Sequence, residues 1–456
     1  MNTGKKRSIV FISISLLIAV AFVYRQVEVA SNASSWSDAN GHEYMWIAES
    51  IAAGEGFSFP AEHRWLFAQT DGDGPNMPEY GPTAWKEPVY PYVLGSAMRL
   101  MGSEGGKAAV VALQVFALAL TIVFIYLLGK ALIGPWTGLI AAGLIVVLPR
   151  IHRRSVASLD ASVFGAMIVT GVLLLLVRCI SCPTTERTLA LGAGIGAGGL
   201  TLAPTVMLGP VAAIALLVES VRRRSWRPFL MIGVAGLTAI LVISPWTARN
   251  AQTFGMFIPI QTGLGNFSNF TNTYVAETFM PELALDPRGS SPPWTSEGPL
   301  DAVQKLHKGD NSSELIVRSR GSVAADPPPG WDQMSEPERD RVHLNQFWNF
   351  ASKHPKVFIQ MMMAKALMLF ILLPMEFEMS IMWLLSVMMY VTAYVGLVFT
   401  LRKRAVYVLP LTVLLVTFPL LVTAPLYYRY RLPVEPLIAI LAAGAIVICF
   451  RTWIRR

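Results

Sequence analysis

Apolar runs of helix length recur from one end of the chain to the other. The first covers residues 8–24 and follows Lys5, Lys6 and Arg7. Others lie at about 108–128, 131–148, 161–177, 188–202, 205–218 and 229–246. After a long polar interval three more follow, at about 379–401, 406–424 and 434–450. Roughly 20 apolar residues carry an α-helix across the hydrocarbon of a bilayer. The runs at 188–202 and 205–218 are short and broken by Gly and Pro, which leaves their limits open. The stretch 357–373 is apolar too, but a crossing there would place Arg402, Lys403 and Arg404 outside, against the positive-inside rule. It is read as an interfacial or re-entrant helix with Lys365 at the polar surface, giving about 10 spans, or 11 if it crosses.

Between the first two runs the period changes. Tyr44, Ile47, Ala48, Ile51 and Ala52 recur at helical spacing, while Glu43, Glu49 and Ser50 fall on the other face. This predicts a short amphipathic helix opened just after Asp38 and stopped by Gly54 and Gly56. A second short helix is predicted at KEPVYPYVLGSAMRLMG (86–102). In the polar interval 247–356, Ser335-Glu-Pro-Glu338 has the form of a capping box opening a helix to about Lys353.

Composition agrees with this pattern. The chain has 456 residues, 54% hydrophobic and 14% charged, with mean hydropathy +0.50. Soluble domains carry about 25% charged residues, so the pattern is that of an all-α polytopic membrane protein. The net charge of +8 does not indicate nucleic acid, because Lys and Arg cluster at the ends of the apolar runs. Three cysteines make no disulfide framework, and Cys179 and Cys182 have no histidine nearby, so neither a zinc nor a redox role is expected. The first run is long for a signal peptide and lacks a clear cleavage site. It is read as an uncleaved helix with a cytoplasmic N-terminus, in the cytoplasmic membrane of the cell.

Some positive charges fall where topology does not want them. Arg150, His152, Arg153 and Arg154 lie on the outside face, as do Lys86, Arg249, Arg429 and Arg431. Positive charge at that depth suits an anion such as a lipid phosphate, or else structural pairs with Glu87, Asp160 and Glu435. Two acids share the face. Asp38 and Asp160 suit either general-base chemistry or helix N-caps. Asp38, His42, Glu43 and His63 also have the chemistry of a mixed divalent-metal site, though their spacing is not diagnostic.

Taken in order, these residues resemble the motifs of the polyprenyl-phosphate-sugar-dependent glycosyltransferases of the GT-C fold, chiefly protein O-mannosyltransferases and lipid A aminoarabinose transferases. The matching elements are Asp38 with Tyr44-Met-Trp-Ile-Ala48 and Gly54-Glu-Gly-Phe57, then Lys86-Glu87-Pro88-Val-Tyr90-Pro91, then Leu159-Asp160. Pro245-Trp246-Thr-Ala-Arg249-Asn250 through Gly255, and Arg429-Tyr-Arg431-Leu-Pro433-Val-Glu-Pro436, complete the set. Two departures stand out. Asp38 is followed by Ala39 where the mannosyltransferases have Glu, and Glu87 stands where the aminoarabinose transferases have Pro.

The resemblance implies a GT-C architecture with extracytoplasmic juxtamembrane helices and loops. It divides the chain into a first transmembrane helix (1–24), an extracytoplasmic catalytic loop (25–105), a helix bundle (106–246), an acceptor-side loop domain (247–356) and a C-terminal interfacial and transmembrane part (357–456). It implies inverting transfer of a sugar from a polyprenyl-phosphate donor to a hydroxyl of an envelope lipid, glycan or protein. Asp38 would be the base and Asp160 its assistant. Lys86, Arg249, Arg429 and Arg431, with Arg153 and Arg154, would hold the phosphate, supported by Tyr44, Glu87, Tyr90 and Asn250. No cofactor is required, while a divalent metal at Asp38, His42 and Glu43 is left open. The alternative from another class is a transporter or flippase for an anionic lipid-linked substrate. It accounts for the arginines but gives no task to Asp38 in a loop.

Overall fold

The computed structural model describes residues 3–32, 42–59, 81–147, 152, 155, 158–264, 334–353, 355–367, 381–400, 405–423 and 431–454. Each of the ten expected spans meets a helix. The first is α1 (Thr3–Asn32), whose apolar part is Phe11–Tyr24. The short amphipathic helix is α2 (His42–Ala53), followed by a two-residue antiparallel pair, β1 (Ser58–Phe59) and β2 (Gly81–Pro82). Then come α3 (Val89–Leu132), α4 (Pro135–Val147), α5 (Ser162–Ser181), α6 (Thr185–Thr201), α7 (Leu208–Arg223) and α8 (Arg227–Phe254). After the polar interval are α9 (Glu336–Lys353), α10 (Pro355–Leu367), α11 (Ile381–Thr400), α12 (Val408–Thr423) and α13 (Glu435–Ile454). Five helical stretches among the described residues are long and apolar enough to cross a membrane: Val89–Leu132, Ser162–Ser181, Ala203–Arg223, Trp226–Phe254 and Glu435–Ile454. Helix α10, at 13 residues, covers about 20 Å, short of the roughly 30 Å of bilayer hydrocarbon.

Helix α3 is not one rod. The Tyr90 hydroxyl donates to Gln114 Oε1 at 2.6 Å, although 24 residues of straight helix would separate them by roughly 36 Å. The chain reverses at Gly102, with φ 75° and ψ 168°, a conformation essentially restricted to glycine. A Cβ on Gly106 would lie 2.4 Å from the Met98 nitrogen, so the two arms lie in close contact just past the turn. The expected juxtamembrane helix and the span after it are therefore the two arms of one hairpin. Gly102→Ala is expected to lower stability by about 1–3 kcal/mol. Thermal unfolding in detergent reads it, and an unchanged midpoint would refute the strain.

Helix α8 departs from expectation in its length. The sequence places the end of this run at about 246, yet the helix continues past Pro245 to Phe254 and stops at Gly255, φ 66°. Proline cannot donate to the carbonyl four residues earlier. Here the Ser244 hydroxyl donates to that carbonyl, Leu241 O, at 3.0 Å, and the helix survives. The bundle core draws side chains from α3, α4, α5, α6, α7, α8, α11, α12 and α13. At one end Arg223 donates to Ile180 O and to the buried Glu219, tying α7 to α5. The candidate site lies at the other end.

Candidate functional site

Helix α2 is clamped from two sides. Tyr44 and Ala48 pack with Tyr90, Leu94 and Met98 of the hairpin and with Leu159 and Ala161 ahead of α5. Trp46, Ile47 and Ile51 pack with Phe57, Phe59, Trp85 and Trp246. The predicted apolar face is thus buried, but so is Ser50, which helical spacing assigns to the polar face; it is 1% exposed. A helix lodged between two clusters has little polar face left.

The stretch Thr83–Tyr90 threads under this helix. Lys86 is 6% exposed, with Nζ 2.5 Å from Glu43 Oε2 and 5.5 Å from the centre of the Tyr44 ring. Glu43 also accepts from Trp85 Nε1 at 3.1 Å. Buried Glu87 accepts from the Tyr44 hydroxyl at 3.2 Å and from Ala203 N at 2.7 Å, which fastens the Lys-Glu-Pro segment to the α6–α7 connection. Tyr44 and Tyr90 meet edge to face at 5.0 Å. A buried lysine needs a counter-ion, and here the partner is the acid on α2 rather than its sequence neighbour.

Asp160 is buried at the head of α5 and caps it: Oδ1 accepts from Ser162 N at 2.6 Å and from the Ser162 hydroxyl. Its own amide donates to Gln114 Oε1 at 3.3 Å, the same oxygen that takes the Tyr90 hydroxyl. The cap reading of this acid is thus met by geometry, and its backbone amide is joined through Gln114 to Tyr90.

The Pro-Trp-x-x-Arg-Asn element sits on the last turns of α8. Arg249 donates to Thr83 O at 2.7 Å and to Phe57 O at 2.9 Å, and its guanidinium lies 4.9 Å from the Trp246 ring centre. Its planar fork thus holds the segments flanking β1 and β2. Trp246 Nε1 donates to Ile260 O, and Asn250 Nδ2 to Ile258 O at 3.1 Å, pinning the chain that leaves the helix. Arg431, 1% exposed, has Nε and a terminal nitrogen each 3.0 Å from Glu435 Oε1 and lies 4.9 Å from the Tyr390 ring centre. Its segment reaches the same end of the bundle, because a Cβ on Gly165 of α5 would meet Leu202 at 2.5 Å and Pro433 at 3.3 Å.

The structure therefore brings Tyr44, Lys86, Glu87, Tyr90, Asp160, Arg249 and Asn250 together as adjoining hydrogen-bonded sets that meet through the Lys86–Tyr44 and Tyr44–Tyr90 ring contacts, with Arg431 anchored nearby. Asp38, Arg429, Arg150, Arg153, Arg154 and His63 lie outside the described residues, as does the side chain of His42. Among the described residues no three His, Cys, Asp or Glu side chains gather as a metal set. His152, counted among the outside cations, is fully buried, with Nδ1 2.7 Å from Gln26 Nε2 and Nε2 3.3 Å from Ile145 O.

Two residues of this array escaped the motifs. Gln114 is a fully buried amide inside an apolar run, a signal in itself. Glu336 stands in the sequence only as part of a capping box. The Glu338 arm of that box forms, with Ser335 N and Oγ both donating to its carboxylate at 2.8 and 2.7 Å. Glu336 itself turns inward and accepts from Thr83 Oγ1 at 2.5 Å, from Ala84 N at 3.0 Å and from the Thr262 hydroxyl. Burial pushes its carboxyl above the ordinary value of 4.5, against the pull of those donors and with a further push from Asp340. The folded state then holds the proton more tightly than the unfolded chain. Its stabilising share is full below the ordinary carboxylate range and lost as pH rises through the raised value. Glu336→Gln is expected to flatten that slope in melts recorded between about pH 4 and 7. An identical slope in both proteins would refute the assignment.

Residues 82–248 match the family model of the dolichyl-phosphate-mannose-protein mannosyltransferases. No curated protein sequence matches the chain. Among solved structures, the oligosaccharyltransferase AglB of Archaeoglobus fulgidus, in complex with an inhibitory peptide and a dolichol-phosphate, superposes with TM-score 0.56 at 13% identity, over 98% of this chain and 51% of that one. The oligosaccharyltransferase of the same organism in complex with zinc and sulfate gives 0.54 at 13% identity, over 96% and 49%. ArnT of Cupriavidus metallidurans bound to undecaprenyl phosphate gives 0.40 at 13% identity, over 95% and 77%, below what a fold argument needs. This chain spans about half the length of the archaeal enzymes it matches. The resemblance read from the motifs holds, and the fold is that of the GT-C polytopic membrane glycosyltransferases.

Proposed function

We propose that this protein is an integral membrane glycosyltransferase that moves a sugar from a polyprenyl-phosphate donor to a hydroxyl of an envelope acceptor, on the extracytoplasmic side and with inversion. The observation that carries the reading is the array of buried charges linked through Thr83–Tyr90, at the start of the stretch similar to mannosyltransferases. The fold shared with oligosaccharyltransferases supports it.

In this reading Asp38 takes the proton of the acceptor hydroxyl, whose oxygen attacks the anomeric carbon from the face opposite the phosphate. The bond from that carbon to the phosphate oxygen breaks, and the electron pair leaves on the lipid phosphate. Lys86, Arg249 and Arg431, with Arg429, Arg153 and Arg154, stabilise the charge that develops there. Asp160 orients the acceptor. Tyr44, Glu87, Tyr90 and Asn250 hold these groups in place. The archaeal structure with zinc raises the question of a metal at Asp38, His42 and Glu43. Glu43 meets Lys86 Nζ through Oε2 and Trp85 Nε1 through Oε1, while Asp38 and the side chain of His42 lie outside the described residues. The proton transfer and displacement described here need only the side chains named.

The test is a purified, reconstituted protein given radiolabelled polyprenyl-phosphate sugars and a crude envelope acceptor mixture. Label is expected to leave the lipid and appear on acceptor. Label that crosses the bilayer on intact lipid would overturn transfer in favour of a flippase.

A further inference from the structure

The geometry points to Gln114 as a positioning residue that holds Asp160 in register for sugar transfer, an inference that rests on the proposed transferase function. Gln114 lies on the spanning arm of α3 and is 0% exposed. Its Oε1 accepts from the Tyr90 hydroxyl at 2.6 Å and from Asp160 N at 3.3 Å. Its Nε2 donates to Ser158 O at 2.8 Å and to Ser155 O at 3.2 Å. These partners admit one orientation of the amide. Turned over, its N–H groups would face an N–H, and its oxygen would face two carbonyls.

Packing alone does not call for glutamine here. Val110, Ala117 and Leu118 on the same arm are buried apolar residues, and leucine would fill a similar volume. A buried amide is costly unless its hydrogen bonds are made, and this one makes them to two separate segments, the first arm of the hairpin and the stretch entering α5. It closes the hairpin through Tyr90. It fixes the carbonyls of the segment entering α5, and it takes the amide of Asp160 itself. Ser162 holds the Asp160 carboxylate from the other side. The acid is thus set relative to the first-loop tyrosines by a residue that touches neither donor nor acceptor.

Two variants test this, Gln114→Leu and Gln114→Glu. The glutamate keeps an acceptor for Tyr90 and Asp160 N but cannot donate to both carbonyls. A positioning role predicts that kcat falls roughly 10- to 100-fold in Gln114→Leu, and less in Gln114→Glu. Donor KM should stay within about 2-fold, so that the loss falls on kcat. Unchanged kcat in a folded variant, or a raised KM with kcat intact, would overturn the inference. If the leucine variant does not fold, the glutamate variant is judged by the same criteria.

A second readout needs no turnover. Ser158→Cys is placed in a background with Cys179, Cys182 and Cys449 replaced by serine. The new thiol, at a position 2% exposed, should resist a membrane-impermeant maleimide in the parent and react once Gln114→Leu is added. Equal labelling with and without Gln114 overturns the inference whatever the activity. A wild type that moves no sugar overturns the proposed function, while the labelling still decides whether Gln114 holds this segment.

Discussion

Asp38→Asn is expected to abolish sugar transfer to within about one part in 10³ of wild type, while the protein keeps its melting profile. A positioned general base contributes roughly 10²–10⁴ in rate, and asparagine keeps the shape while removing the proton acceptor. Asp38 stands four residues ahead of the first residue of α2, His42, and α2 is packed into two buried clusters at this end of the bundle. Binding of a non-transferable polyprenyl-phosphate should persist in the variant, because the phosphate is assigned to cations rather than to this acid. Full transfer activity in Asp38→Asn would remove the base from the mechanism and leave Asp160 as the acid to test next.

The second large effect concerns Arg431. Arg431 and its partner Glu435 are both nearly inaccessible, at 1% and 4% exposure. Removing one member of a buried ion pair strands the other, a loss of about 3–5 kcal/mol. Arg431→Met should therefore melt far below wild type. Arg431→Met combined with Glu435→Met should recover most of that loss, since neither charge is then buried alone. The double variant also separates two tasks. With the fold restored, a donor KM still raised at least about 10-fold assigns Arg431 to the lipid phosphate as well as to Glu435. Wild-type KM in the double variant would make the arginine a purely structural cation.

The spans and the motif order could be read from the chain alone, because both are local. Hydropathy over a helix length needs no knowledge of what lies opposite, and the helices meet every expected run. Even the hairpin left a trace, as a short helix, then Gly102, then a span. The amphipathic face of Tyr44, Ile47, Ala48 and Ile51 was equally readable, since helical spacing places those residues together whatever they pack against.

Tertiary structure decided the partners. Lys86 pairs with Glu43 rather than with adjacent Glu87, because Glu87 is taken by Tyr44 and by Ala203 N on another helix connection. Arg249 spends its fork on the carbonyls of Phe57 and Thr83, and Glu336 reaches Thr83 across more than half the chain. Gln114 looks like one polar residue in an apolar run until the hairpin brings Tyr90 to it. Apolar burial is set by a residue's own surface and its neighbours in the helix. Pairing of buried charges and amides is set by distance and direction in space, and those exist only once the helices have packed.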